Sequence, residues 1–216
     1  MQPSKIDKEA RGKLGQVLGV LAVTGASAGT FLDGIHSKVQ LLVYDLLPMD
    51  MLQLHTSMLV PPLLATFYVV LGGLVLWSDY RLAGDASTRQ AVKRSNSLLF
   101  LVASFGALAA MLELSSTLYV SGMNFDTICC LLAVLAAANY LAFDGTKQGL
   151  FLALLCAIAA PGCELLLMHS MGVWHYPQGN FMHNVAGGIP SWVPWCYFFY
   201  VPAVANLTRF LSRNLA

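Results

Sequence analysis

Six long apolar blocks divide this sequence and limit the folds that the chain can adopt. Each block has about 18 to 25 residues, enough for one helix to cross a hydrocarbon core about 30 Å thick. In lipid, only helices and closed barrels satisfy all backbone hydrogen bonds, and blocks this long favour helices. The sequence therefore predicts an all-α polytopic membrane protein with six transmembrane helices, in Leu14–Gly34, His55–Trp77, Ser97–Val120, Phe125–Ala142, Gln148–Met171 and Pro190–Leu211.

The composition supports a membrane protein and argues against several other classes. Hydrophobic residues make up 57% of the 216 residues and charged residues only 11%, against roughly 25% charged residues in globular domains. The net charge of +1 and the lack of a basic stripe argue against a nucleic-acid partner. The five cysteines lack metal-binding spacing, so no metal or cofactor is expected. A bound membrane lipid is compatible with such a bundle.

The positions of the basic residues predict the orientation of the helices. If the N-terminus is cytoplasmic, eleven of the twelve Lys and Arg residues fall on the cytoplasmic side and only Lys38 on the other, as the positive-inside rule requires. Both termini are then cytoplasmic. The chain divides into a polar N-terminal segment at residues 1–13, a transmembrane domain at 14–212 and a C-terminal tail at 213–216.

Several ionisable side chains lie inside or at the ends of the predicted helices, where they are costly and often functional. Glu113 is late in the third block, Glu164 is late in the fifth, and Asp33 lies near the outer end of the first. One interpretation is an acid–base or proton-relay cluster of these carboxyls with a histidine near the outer leaflet. The other is that neutral carboxyls form hydrogen bonds between helices. The residues alone leave both interpretations open.

Small residues and prolines mark positions where helices pack closely or bend. Gly25 and Gly29 are four apart in a run of small residues, a spacing that lets helix backbones approach each other in lipid. A second interpretation is a groove left open for a flat or long-chain ligand. Pro61-Pro62 in the second block, and Pro194 and Pro202 in the sixth, are predicted to kink their helices because proline lacks a backbone donor.

Aromatic residues cluster around the last loop, and residues 39–47 form a short apolar segment. Trp174, Tyr176, Trp192 and Trp195 predict an aromatic belt at the outer membrane interface. The segment at 39–47 is apolar enough to lie at the interface or to extend the first helix.

Several motifs from Val60 onward occur in an order typical of one family. They are Val60-Pro61-Pro62, Phe143-Asp144 before a glycine-containing turn, Gly172-Val173-Trp174-His175-Tyr176, Ser191-Trp192-Val193-Pro194-Trp195-Cys196 and Asn206-Leu207-Thr208-Arg209. With similar spacing over about residues 55 to 212, they resemble the insulin-induced gene (Insig) family of six-span endoplasmic-reticulum proteins. The family's tryptophan pair before Val-Pro-Pro is Met58-Leu59 here, and its double cysteine is Leu63-Leu64.

This resemblance implies a lipid-binding regulator that acts through partners and not through catalysis. A sterol or a diacylglycerol-like lipid would occupy a cavity between the helices. The partners would be other polytopic membrane proteins of the endoplasmic reticulum. Through them the protein would regulate lipid and sterol metabolism. Asp144 matches a partner-contacting aspartate of the family, and Arg209 is expected to face partners with it. The residues expected to contact the lipid are Gly25, Gly29, Pro61, Glu113, Thr127, Glu164 and Trp192.

Two other functions stay open. The run from Glu164 through the last loop also resembles small membrane enzymes that hydrate or cyclise carotenoids and other polyprenoids. In such an enzyme Glu164, with Glu113, would be the intramembrane acid that protonates an alkene. The third function is a structural subunit of a larger membrane complex, including one in a plastid membrane, which the short loops permit.

Overall fold

The computed structural model describes residues 5–51 and 54–215, and most of these are helical. One long helical element begins the chain: α1 (Lys5–Thr24) continues through a π-helical turn at Gly25–Gly29 into α2 (Thr30–Lys38). The other helices are α3 (Val60–Arg81), α4 (Ala86–Arg94), α5 (Leu98–Val120), α6 (Phe125–Phe143), α7 (Lys147–Met171) and α8 (Val193–Asn214).

Five of these helical elements are long and apolar enough to cross a membrane. They are Gly12–Lys38 and the helices α3, α5, α6 and α7, and they correspond to the first five predicted blocks. The sixth block forms α8, whose 22 residues would span about 33 Å. This helix is less apolar than α3, α5, α6 and α7. For this reason it is not among the five helical elements that are apolar enough to cross a membrane.

The position of α8 explains its composition. It contacts α1, α3, α5, α6 and α7, and nearly all of its residues from Val193 to Leu211 are buried or half-buried. A helix surrounded by other helices packs against side chains and not against lipid, so it can carry polar residues that find partners inside the bundle. Asn206 and Thr208 are two of these, each 0% exposed.

Only one of the four prolines that were predicted to kink a helix lies inside a helix. Pro61 and Pro62 lie in the first turn of α3, and Pro194 lies in the first turn of α8. Backbone N–H groups in a first turn have no partner within the helix, so proline there begins a helix without kinking it. Pro202, by contrast, lies inside α8 as predicted, and Pro161 lies inside α7.

Two short antiparallel sheets correct the expectation of a purely helical chain. Strand β1 (Val43–Tyr44) pairs with β4 (Trp174–His175), and β2 (Pro48–Met51) pairs with β3 (Leu54–Ser57). The apolar segment at 39–47 therefore contributes a strand instead of extending the first helix, which ends at Lys38. In the β1–β4 pair Tyr44 lies opposite Trp174, which fixes the loop after α7 against the segment after α2.

Gly25 and Gly29 serve close helix packing. A Cβ atom on Gly25 would lie 2.5 Å from the backbone oxygen of Leu64 in α3, and one on Gly29 would lie 3.3 Å from the ring of Tyr68. The small residues thus let the π-helical turn approach α3, as the first interpretation predicts. Neither glycine lines the cavity described below, and their assignment as lipid contacts stays a prediction.

Candidate functional site

A cavity of about 380 Å³ lies between α3 and α7. Its wall on the α3 side comes from apolar residues three or four positions apart, which places them on one face of that helix. Residues of α7 form the opposite wall with the same spacing. These apolar wall residues are Val60, Leu63, Leu64, Phe67, Val70, Leu71 and Leu74 of α3, and Leu152, Leu155, Cys156, Ala159, Ala160, Cys163 and Leu167 of α7.

One end of this cavity is polar. Asp33 of α2, Tyr44 of β1, Glu164 of α7 and Tyr197 of α8 all line it, together with Trp174. The polar end therefore collects side chains from four separate elements. It lies where the β1–β4 pair covers the bundle, because Tyr44 and Trp174 are the paired residues of those strands.

Tyrosine hydroxyls hold both carboxyls of the polar end. Tyr176 donates to one carboxyl oxygen of Glu164 at 2.9 Å, and Tyr197 donates to the other. Tyr44 donates to Asp33. Each Glu164 oxygen thus accepts one tyrosine hydrogen bond and has a further lone pair for another donor. The carboxyls are oriented toward a shared space and keep the capacity to bind a ligand hydroxyl.

Burial keeps the loop tyrosines protonated. Burial raises the pKa of Tyr44 well above its ordinary value, and the neighbouring Asp33 raises it further. The pKa of Tyr176 is raised in the same way, by burial first and then by Glu164. A phenolate beside a buried carboxylate would be penalised twice, by desolvation and by like charge. Both residues therefore act as hydrogen-bond donors at every physiological pH.

A smaller chamber of about 40 Å³ extends this polar end inward. It is lined by Asp33 and Glu164 and also by His36, Cys196 and Tyr200. His36 is buried, and one of its ring nitrogens lies 2.8 Å from the hydroxyl of Ser115 in α5. At about 10–15 Å³ for each water molecule, the chamber has room for about three.

Among known proteins, solved structures are similar to this chain. No family model matches the chain, and no curated protein matches it. A crystal structure of MvINS, an Insig homolog from Mycobacterium vanbaalenii, is similar with a TM-score of 0.71 and 19% identity, over 92% of this chain and 96% of that one. The chain has an Insig-like fold. A cross-linked trimer of the same protein matches with a TM-score of 0.69, at the same identity and coverage.

The Insig-like fold confirms the resemblance found in the sequence motifs, at the level of fold. It also agrees with an integral membrane protein, since five apolar helices of the described residues can span a bilayer. At 19% identity, ligand and partner residues do not follow from the likeness, so the positions of the predicted site residues rest on this structure alone.

The predicted carboxyl cluster exists in part. Asp33 and Glu164 face one cavity, and the histidine that joins them is His36. Glu113, however, is exposed on α5 and lines neither chamber. The prediction placed it in the cluster because it lies late in a span, but the rotation of α5 directs it outward.

Other predicted lipid contacts also lie away from the cavity. Thr127 is exposed on α6, and Pro61 lies in the first turn of α3 without lining either chamber. Trp192 is 0% exposed and packs edge-on against Phe125 with ring centroids 4.7 Å apart. Trp174 and Tyr176 are buried as well, so the aromatic-belt prediction is wrong for these three residues.

The predicted partner residues are buried in a second polar cluster, at the end of the bundle where α8 finishes. Arg209 donates to Asp144 at 3.0 Å and, through Nε, to Asp79 of α3 at 2.7 Å. Asp144 is 1% exposed and Arg209 2%. Both side chains are used inside the protein, which corrects the expectation that they face a partner directly.

Several residues of both clusters were not predicted from the sequence. Tyr44 and Tyr197 at the cavity, and Asp79 and Gln148 at the second cluster, were not singled out. Gln148 donates to Asp79 at 2.9 Å and to Thr88 at 2.9 Å. A polar residue at the end of a span resembles an ordinary boundary residue, so Asp79 and Gln148 carry no local signal. Tyr197 begins a run of four aromatic residues, so its residue type does not distinguish it from its neighbours.

Proposed function

We propose that this protein binds a membrane lipid in the cavity between α3 and α7 and regulates lipid metabolism through membrane-protein partners, most simply in the endoplasmic reticulum. The observation that carries the proposal is an apolar cavity closed at one end by two tyrosine-bonded carboxyls, Asp33 and Glu164. Its volume of about 380 Å³ is within the usual range of about 300–1,000 Å³ for ligand pockets. The Insig-like fold supports a regulator of this kind.

The lining defines the chemistry of the ligand. The apolar wall from Val60 to Leu74 on α3 extends about 21 Å along the helix, which suits a sterol ring system or an acyl chain. The polar end offers carboxyl oxygens with unused lone pairs and no lining Lys or Arg. It therefore favours a ligand whose head is a hydroxyl, such as a sterol or a diacylglycerol, over one with a phosphate.

Entry from the bilayer is direct. Leu63, Val70 and Leu74 of α3 and Leu155 of α7 line the cavity and are also exposed on the flank of the bundle. In a membrane, this flank faces the acyl chains. A lipid can therefore enter sideways, with its head moving toward Glu164 and its tail remaining near the opening.

The test is to identify the lipid that accompanies the purified protein. The protein is isolated in a mild detergent, its lipids are extracted and identified by mass spectrometry, and two variants are compared. Ala160→Phe fills the cavity from α7, whereas Ile158→Phe adds the same ring at a 75% exposed position outside the lining. The proposal expects a sterol or diacylglycerol that is lost from A160F and retained by I158F. Equal retention by both variants contradicts it.

Glu164 at the end of the apolar cavity also favours a second candidate, a polyprenoid-modifying enzyme. Glu164 would transfer its proton to one carbon of an alkene, water would add to the resulting carbocation, and a proton would return to the carboxylate. Incubation with an unsaturated polyprenoid decides between the two. A product that has gained one water, and that Glu164→Gln abolishes, supports the enzyme. An unchanged lipid supports the binding protein.

A further inference from the structure

A second cleft, of about 630 Å³, lies at the junction of α4 and α5. Polar residues form one side of it and apolar residues of α5 form the other; the lining is Gln90, Lys93, Arg94, Ser97, Leu99, Phe100 and Ala103. We propose that this cleft binds an anionic phospholipid, with the phosphate at Lys93 and Arg94 and an acyl chain along α5. The proposal does not depend on the lipid in the cavity between α3 and α7.

The cleft has positive charge that the protein leaves uncompensated. Lys93 is exposed and, among the described residues, forms no ion pair with a carboxylate. Arg94 donates to the backbone oxygens of Ala142 and Asp144, which are neutral groups. Two cations therefore face the same cleft, and an anion is the ligand that their charge fits.

The nearby carboxylates are already engaged elsewhere. Asp79 and Asp144 pair with Arg209 inside the bundle. Asp85 accepts hydrogen bonds from Ser87 and lies 3.6 Å from Lys147. The acidic groups at this end thus pair with other cations, and Lys93 stays accessible to an external anion.

The apolar side of the cleft continues along the outer face of α5. Leu99 is 78% exposed, and Ala103, Gly106 and Ala110 follow it as exposed small residues on the same helix face. This row of residues extends about 16 Å from Leu99 to Ala110, a length that suits an acyl chain. A free phosphate ion would make no contact with these apolar residues, so the combination favours a phospholipid.

The test is a titration of the full-length protein, in detergent, followed by native mass spectrometry. Phosphatidylglycerol and phosphatidylcholine are used with identical acyl chains, and both contain a phosphate. Phosphatidylglycerol has a net negative charge, whereas phosphatidylcholine is neutral overall. Wild-type protein is expected to bind phosphatidylglycerol more tightly. Lys93→Gln should weaken this binding about fivefold, since one basic residue contributes about that factor to attraction by an anionic membrane. Lys93→Arg keeps the charge and should retain the affinity.

Two matched variants and one competitor complete the test. Arg81→Gln removes an equal charge at an exposed position outside the cleft lining, from a side chain that has no ion pair with a carboxylate among the described residues, and should leave binding unchanged. Ala103→Phe obstructs the cleft at an exposed position and should weaken it. Equal losses in K93Q and R81Q, or equal binding of the two lipids, would overturn the proposal. Displacement by inorganic phosphate, with no effect of A103F, would assign a free-phosphate site instead and also overturn it.

Discussion

Arg209 of α8 and Asp144 of the turn between α6 and α7 form an ion pair of 3.0 Å in which the side chains are 2% and 0% exposed. The same guanidinium contacts Asp79 at the end of α3, and Gln148 of α7 donates to that carboxylate. One cation thus joins three helices and a turn at one end of the bundle. Two carboxylates share this one cation, and among the described residues neither of them forms an ion pair with another.

Removal of that cation should destabilise the protein strongly. Arg209→Met leaves Asp79 and Asp144 buried without a counter-charge, and breaking a buried pair in this way costs about 3–5 kcal/mol. The thermal unfolding midpoint in detergent should fall clearly. Arg213→Gln, on an exposed side chain of the same helix, is the matched control and should change it little. Adding Asp79→Asn and Asp144→Asn to Arg209→Met should recover part of the loss. No difference between R209M and R213Q would contradict the assignment.

Glu164 should determine how tightly the cavity holds a hydroxyl-bearing lipid. Glu164→Gln keeps the shape of the side chain but replaces one acceptor oxygen with an amide donor. Binding of a sterol or diacylglycerol should weaken about fivefold, as expected for the loss of one hydrogen bond of about 1 kcal/mol. Glu113→Gln is the control, because Glu113 is exposed on α5 and outside the cavity. Lipid titration of both variants checks this, and an equal affinity would exclude Glu164 from the lipid site.

The sequence predicted most of the helical framework. Hydrocarbon thickness fixes the minimum length of a span, so α5, α6 and α7 begin and end within one residue of the predicted blocks. The second block was placed less well, because His55 and its neighbours belong to β3 and α3 begins at Val60. Residues 54–59 directly precede the apolar run, and so short a segment does not reveal in the sequence whether it continues the helix or forms a strand.

Residues of the candidate site were predicted only where the residue type was unusual for its position in a span. Asp33 and Glu164 attract attention because carboxyls in a span are costly. Their tyrosine partners depend on contacts between distant segments, such as the β1–β4 pair that joins Val43 to His175. Strands of two residues are too short to show an alternating pattern of apolar and polar residues in the sequence. The rotation of each helix is also set by packing, which is why Glu113 was misplaced.

Gly25 should tolerate no larger side chain. Its Cβ position lies 2.5 Å from the Leu64 backbone oxygen, and a backbone atom cannot move aside without shifting α3. We expect Gly25→Ala to lower the free energy of unfolding by about 1–3 kcal/mol, as overpacking does. Gly19→Ala is the control on the same helical element, since no atom lies within 4 Å of its Cβ position. There, alanine should stabilise the helix by about 0.5–1 kcal/mol. Unfolding in graded denaturant would measure both, and a stable G25A protein would refute the close-packing assignment.

Trp192 should act through the volume and edge of its ring and not through its indole N–H. Its side chain is 0% exposed and packs against Phe125 and Tyr119, and its Nε1 has no hydrogen-bond partner among the described residues. Trp192→Ala should cost about 3–5 kcal/mol through the cavity that it leaves. Trp192→Phe should cost clearly less, because it keeps an aromatic ring and breaks no hydrogen bond. Trp77→Ala, at a 59% exposed position, is the control for loss of an indole that faces outward. Thermal unfolding of the three variants in one detergent checks the order, and an equal cost for W192F and W192A would contradict a role for the volume and edge of the ring.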